Sequence, residues 1–209
     1  MNVTNLVFDI GNVLLDLDIP SAQALLVARR RPDLSEKAFV SAVTPVVHAF
    51  ECGNVDSDVF VEQVLVHCQP GTEPSVIQEI WNDMLLTIPA YRLGMLTALR
   101  ERFNLFALSN TNALHLERFH QHLETAHGIT DFEKAFFDEV YYSHLLGMRK
   151  PDPKIYRHVI EDALITPKRT LYIDDSSDCI EAARKLGFQT MHSSADHEVA
   201  EALKLLGYY

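Results

Sequence analysis

Four places in this sequence carry residue types that could do chemistry together: Asp9, Ser109-Asn110, Lys150 and the acidic pair Asp174-Asp175. A carboxylate such as Asp9 can serve as nucleophile or metal ligand. A hydroxyl beside a side-chain amide can hold anionic oxygens, and a lysine can offset negative charge. Adjacent aspartates favour a hard, oxygen-seeking cation. Singly, each has an ordinary explanation: a strand-end turn, a helix cap, a solvated loop charge, an exposed acidic turn. Together their charges are complementary, and they fit metal-assisted chemistry on a small anionic substrate.

For that to happen the chain must bring them to one place. Short apolar runs at Asn5–Phe8, Leu105–Leu108, Val140–Tyr142, Leu171–Ile173 and Phe188–Met191 read as buried parallel strands, because they are continuous rather than alternating. Asp9, Ser109-Asn110 and Asp174-Asp175 each close one of these strands, and Lys150 follows the third. Helical patterns lie between the later strands. One starts at Ile88-Pro89 with an apolar face of Tyr91, Met95, Leu96 and Leu99. Another opens at Asp152-Pro153, and a third is capped by Ser176 or Ser177. The alternation predicts an α/β fold, a Rossmann-like doubly wound parallel sheet whose ligand site lies at the carboxyl ends of its strands.

Between the first two strands the rhythm breaks. Ser21, Ser35, Asp56 and Thr72 each precede a helical pattern, and no strand is legible there. A stretch this long exceeds any ordinary crossover and predicts an inserted α-helical cap. The expected division is residues 1–18 and 88–209 for the catalytic core and 19–87 for the cap.

The segments VFDIGNVLLDLD, LSNTN, LGMRKPDPKIY and YIDDSSDCIEAARKLG resemble the four ordered motifs of the haloacid dehalogenase superfamily, in the branch with a helical cap after the first strand. Among its members the chain looks most like bacterial sugar-phosphate phosphatases of the glucose-1-phosphate phosphatase type. The resemblance implies a magnesium-dependent phosphatase that forms an aspartyl-phosphate on Asp9. It implies that Mg²⁺ is held by Asp9, the Gly11 carbonyl and Asp175, and that Asp174 holds metal-bound water or orients Lys150. Ser109 and Asn110 would bind phosphate oxygens, and Lys150 would offset the charge of carboxylate meeting phosphate. The expected substrate is a small phosphorylated metabolite, with a hexose 1-phosphate as the specific expectation.

The sequence departs from the family pattern at Gly11, where most of its phosphatases carry a second aspartate as general acid and base. Asp16 and Asp18 are the nearby carboxylates that could reach back, or else form a polar turn into the cap. This departure keeps a second reading open, a decayed relative that only binds phosphorylated ligands. A haloacid dehalogenase is a weaker alternative, because a metal-free site has no reason to gather a third carboxylate.

Composition bounds the rest. A net charge of −11 argues against nucleic acid, whose backbone needs a basic face. No apolar run is long enough for a membrane span, and the first residues read as a core strand rather than a signal peptide, so a cytoplasmic protein is expected. Three cysteines without CxxC spacing give no disulfide framework or zinc site. His115, His120, His122 and His127 lack metal-binding spacing and read as a wet helix surface. His48, Phe50 and Glu51 lead into a Gly53-Asn54 turn that either faces the crevice, where substrate would be chosen, or packs against a neighbour. Oligomeric state, physiological substrate and the source of the missing proton are not legible in the sequence.

Overall fold

The computed structural model describes residues 3–194 and 198–209. Five strands, β1 (Asn5–Phe8), β2 (Asn104–Ser109), β3 (Glu139–Tyr142), β4 (Thr170–Asp174) and β5 (Gln189–His192), form one parallel sheet in the order β3-β2-β1-β4-β5. β1 is central, and each of its residues is buried because both sheet faces are covered. The strand period of two divides its side chains cleanly. Leu6 and Phe8 join one apolar cluster with Leu96, Leu99 and Leu105, while Val7 joins the other with Phe106, Tyr156 and Ile180.

Eleven helices are described: α1 (Ile19–Ala28), α2 (Glu36–Glu51), α3 (Ser57–Leu65), α4 (Pro74–Asn82), α5 (Ala90–Arg100), α6 (Ala113–His127), α7 (Phe132–Phe136), α8 (Ser143–Leu146), α9 (Pro153–Asp162), α10 (Ser177–Lys185) and α11 (Val199–Leu205). The fold is the expected Rossmann-like sheet with a helical insertion after β1. Helices α1 to α4 share an apolar cluster of their own, in which the Phe50 and Phe60 rings stack 4.4 Å apart and Trp81 lies 4.9 Å from Phe60.

Their starts follow capping chemistry, with two corrections. Ser35 and Asp56 accept the Ala38 and Val59 N–H groups as expected. Asp18, not Ser21, caps α1 by accepting the Ser21 N–H at 3.1 Å. Pro20 lacks an N–H and fits the first turn, which moves the start upstream. At α4 the same preference puts Glu73, rather than Thr72, ahead of Pro74.

The two segments joining insertion to sheet run antiparallel. Asp16 N–H donates to Thr87, Leu86 N–H to Asp16, and Asp18 N–H to Met84, all at 2.8–3.0 Å. Beside them α5 corrects another expectation: Tyr91 is exposed and Arg92 is buried. Arg92, Met95, Leu96 and Leu99 share the inward face at helical spacing. The guanidinium is tolerated there because it donates to Asp16 at 2.7 Å, Glu198 at 2.9 Å and the Leu14 carbonyl at 3.1 Å.

Candidate active site

At the carboxyl end of β1 the chain leaves the sheet at Asp9 and coils through a tight loop. The N–H groups of Leu14 and Leu15 both donate to the Ile10 carbonyl, and Asn12 takes a φ of 54°, a left-handed conformation that asparagine tolerates. Asp9 Oδ1 accepts the Ile10 N–H at 2.7 Å and lies 2.8 Å from Lys150 Nζ. No bond within the described residues engages Asp9 Oδ2.

Lys150 is buried, and its ammonium also reaches Asp174 Oδ2 at 2.8 Å. Asp174, at the end of β4, is fully buried and saturated: the Tyr172 hydroxyl also donates to Oδ2, and the Ser176 N–H donates to Oδ1 at 2.8 Å. Of the two roles left open for Asp174, this bonding matches orientation of Lys150. Lys150 is aligned along its backbone as well. Its N–H donates to Asn110 Oδ1 at 2.8 Å, and its carbonyl accepts from Asn110 Nδ2 at 3.0 Å. The clamp uses the Asn110 side-chain oxygen and one N–H of its amide, which leaves the second amide N–H and the backbone N–H as the donors of the expected phosphate contact. Ser109, beside it at the end of β2, is buried.

Asp175 is half-buried, and its Oδ2 accepts from the Asn12 amide at 3.1 Å. Asp9, Asp174 and Asp175 each present an oxygen within 4.8 Å of the others. Burial pushes Asp9 up to about 7; Lys150 opposes this, while Asp174 and Asp175 reinforce it. Burial works against the Lys150 charge too, yet Asp9 and Asp174 outweigh it and hold Lys150 above its usual range. The ammonium therefore keeps its proton. Three carboxylates against one cation leave an all-oxygen donor set with surplus negative charge, which fits a hard divalent ion.

Gly11 lies two residues past Asp9 on the loop, and a Cβ built there would come within 2.9 Å of Leu17 Cδ1. An apolar side chain thus covers the place where a side chain at position 11 would begin. The two nearby carboxylates are occupied elsewhere, Asp16 by Arg92 and Asp18 by the α1 cap.

The insertion reaches this end of the sheet at two points. Arg149, next to Lys150, donates to Glu51 of α2 at 2.7 Å. The following turn packs so closely that a Cβ on Gly53, whose φ is +65°, would lie 2.1 Å from the His144 carbonyl oxygen. At the other point Trp81 stacks on His115 of α6 at 4.8 Å, and its carbonyl accepts from His115 Nε2 at 2.9 Å.

Residues 3–187 match the haloacid dehalogenase-like hydrolase family. The chain belongs to this family. It is therefore a hydrolase, and among its relatives is D-ribitol-5-phosphate phosphatase of Bacteroides thetaiotaomicron, 26% identical over 190 residues that cover 90% of each chain. The haloacid dehalogenase family enzyme bt-2542 of the same organism, solved with magnesium and inorganic phosphate, superimposes with a TM-score of 0.80. That match has 28% identity and covers 96% of this chain and 99% of the other. A family hydrolase from Porphyromonas gingivalis gives a TM-score of 0.81 at 26% identity, over 99% and 98% of the two chains.

In this haloacid dehalogenase-like chain the residues missed from sequence are those that support others: Tyr172 beneath Asp174, Asn12 beside Asp175, and Ser143, whose hydroxyl joins Thr111 N–H and carbonyl at 2.9 and 3.0 Å. Only Asn12 left a signal, an asparagine in a Gly-Asn turn. The expected wet histidine surface holds in part. His120 is exposed and pairs with Glu133 at 2.7 Å, but His115 is held against the insertion, and His127 Nε2 donates to the Ile88 carbonyl at 3.0 Å.

Proposed function

We propose that this protein is a magnesium-dependent phosphatase that hydrolyses a small phosphorylated sugar or sugar alcohol through an aspartyl-phosphate on Asp9. The observation that carries this reading is the buried Lys150 ammonium, 2.8 Å from both Asp9 and Asp174, with Asp175 in reach at adjoining strand ends. The family membership and the printed activity of the ribitol phosphate relative support it.

Asp9 Oδ2, which has no partner among the described residues, attacks phosphorus in line, and the substrate alcohol departs. Water then attacks the phosphorus of the aspartyl-phosphate, which releases inorganic phosphate and restores the carboxylate. Lys150 offsets negative charge as carboxylate and phosphate approach, and it needs no reorganisation because Asp174 and Asn110 already fix it. Ser109 lines the phosphate side. Asp9, Asp175 and the Gly11 carbonyl would hold Mg²⁺, which supplies neutralising charge at the transferring group. No side-chain carboxyl beside Gly11 protonates the leaving oxygen, so that proton comes from water or the substrate's surroundings.

Residues 1–18 and 88–209 act as the catalytic core and 19–87 as a cap that chooses the substrate. A hexose 1-phosphate remains a candidate because an anomeric alkoxide leaves readily without a proton donor, whereas the ribitol relative points to a sugar alcohol phosphate. The second reading, a ligand-binding relative without turnover, rests on Gly11 and the Leu17 side chain packed over it. Magnesium-dependent release of p-nitrophenol from p-nitrophenyl phosphate decides between them. Turnover supports the phosphatase, and phosphate-ester binding without turnover supports the alternative.

A further inference from the structure

His115 stands in the first turn of α6, directly after the strand-end residues Ser109 to Asn112. Its backbone N–H is capped by Asn112 Oδ1 at 3.0 Å, and that oxygen also accepts from Trp81 Nε1 at 3.4 Å. The ring is clamped twice to the insertion, by stacking on Trp81 and by the 2.9 Å bond to the Trp81 carbonyl. A carbonyl can only accept, so Nε2 carries the proton. Burial pushes the imidazole down to about 4, so near neutral pH the ring holds that proton alone. Nδ1 is then a bare acceptor on a partly exposed residue, and the hydrogen bond described for the ring is made by Nε2, which leaves Nδ1 open to a ligand.

The same residue lines a cavity of about 50 Å³ together with Gly11, Ser109, Asn110 and Thr111 at the ends of β1 and β2. Much of the remaining wall is apolar, from Ile10, Leu15, Leu17 and Leu85. Two of its polar side chains are engaged elsewhere: the Asn110 amide by the Lys150 backbone, and the Tyr142 hydroxyl by Glu133 at 2.5 Å. His115 is thus a fixed polar residue on the wall of a largely greasy space, which Ile10 and Gly11, the two residues after the proposed nucleophile, also line. A cavity this small holds only a few atoms, and Gly11 and Ser109 on its wall put those atoms next to the proposed phosphate site.

We propose that His115 is a specificity-determining residue whose Nδ1 accepts a hydrogen bond from a substrate hydroxyl on the carbon next to the ester carbon, selecting phosphorylated polyols over their deoxygenated counterparts. This rests on the phosphatase reading above. It assigns one side of substrate choice to the core, at the point where the cap fixes the imidazole. A site built to pair a hydroxyl discriminates against an analogue that lacks it, because the analogue forfeits that bond and leaves the acceptor without a substrate partner.

The test compares kcat/KM for D-ribitol 5-phosphate and its 4-deoxy analogue in the wild type and three variants. The wild type is expected to favour the hydroxylated substrate by roughly tenfold or more. His115→Phe keeps a ring against Trp81 and His115→Leu keeps apolar bulk; both remove the acceptor and bring the ratio close to unity. His115→Gln, which retains an acceptor and a donor, restores part of the preference. A purely structural role would lower both substrates alike and leave the ratio unchanged, and that result in whichever acceptor-free variant stays folded overturns the proposal. Wild-type turnover of p-nitrophenyl phosphate with a wild-type ratio near unity overturns this inference alone. Failure to hydrolyse any ester overturns the phosphatase reading and this inference with it.

Discussion

The Lys150 ammonium lies 2.8 Å from the Asp9 carboxylate, and the second carboxylate holding that ammonium, Asp174, is itself fully buried. The lysine is therefore fixed before any ligand arrives. Its alignment comes from Asp174 on one side and the Asn110 amide on its backbone on the other. Asp9 keeps one oxygen for chemistry.

Asp9→Asn should abolish turnover, because an amide cannot form the phospho-intermediate. A fall of roughly 10⁴-fold or more in kcat is expected, the scale of losing a covalent nucleophile. Single-turnover assays on folded protein check this, and retention of a few per cent of activity would rule out the covalent route.

Asp175 and Asp174 should fail in different ways. Asp175→Ala removes a half-exposed oxygen donor and should raise the magnesium concentration needed for activity with little change in thermal stability. Asp174→Ala strips the buried Lys150 of one partner and leaves the Tyr172 hydroxyl unpaired. Breaking a buried pair costs about 3–5 kcal/mol, so this variant should melt early. Magnesium titrations of activity, paired with thermal melts, separate the two. Superimposable magnesium curves for Asp175→Ala and wild type would remove Asp175 from the metal site.

The proton at Asp9 gives a pH dependence with a definite sign. Burial raises its folded pKa to about 7 from a usual value near 3.8, so the folded protein binds more protons than the unfolded chain between those limits. Stability of the metal-free protein should fall as pH rises through that window, by an amount on the order of a few kcal/mol. Magnesium needs the carboxylate, so its apparent affinity should rise with pH up to about 7 and then level off, with proton release on binding below that point. Calorimetry in buffers of different ionisation enthalpy measures the released proton. Equal affinity at pH 6 and pH 8 would show that Asp9 is already ionised without metal.

Rate should depend steeply on leaving-group acidity, since position 11 offers no acid. Sugar 1-phosphates are then expected to outrun the matching 6-phosphates, and an aryl phosphate series should show a strong slope. Installing the acid requires space, because a Cβ at Gly11 meets Leu17 Cδ1 at 2.9 Å. Gly11→Asp combined with Leu17→Ala should flatten the slope and help poor leaving groups most, by up to about 10²-fold. A flat series in the wild type, with chemistry rate-limiting, would mean that another group donates the proton.

The sequence by itself determined the five strands in chain order, the helices opening near Ile88-Pro89, Asp152-Pro153 and Ser176, the inserted bundle, the strand-end placement of Asp9, Ser109 and Asp174-Asp175, and Lys150 in the segment after the third strand. Short-range physics writes these features locally: continuous apolar runs for doubly covered strands, Asp or Ser before a helix, proline in a first turn. Tertiary structure alone decided what each polar group spends its bonds on. Asn110 looked free until Lys150, forty residues away, took both ends of its amide. Tyr91 looked like part of the inward apolar face, but Asp16 and Glu198 converge on the Arg92 guanidinium and that residue takes the inward place instead. His115 looked wet until Trp81 closed over it. Such partners lie far apart in the chain and leave no periodicity, because a buried hydrogen bond is set by where elements meet rather than by spacing along any one of them.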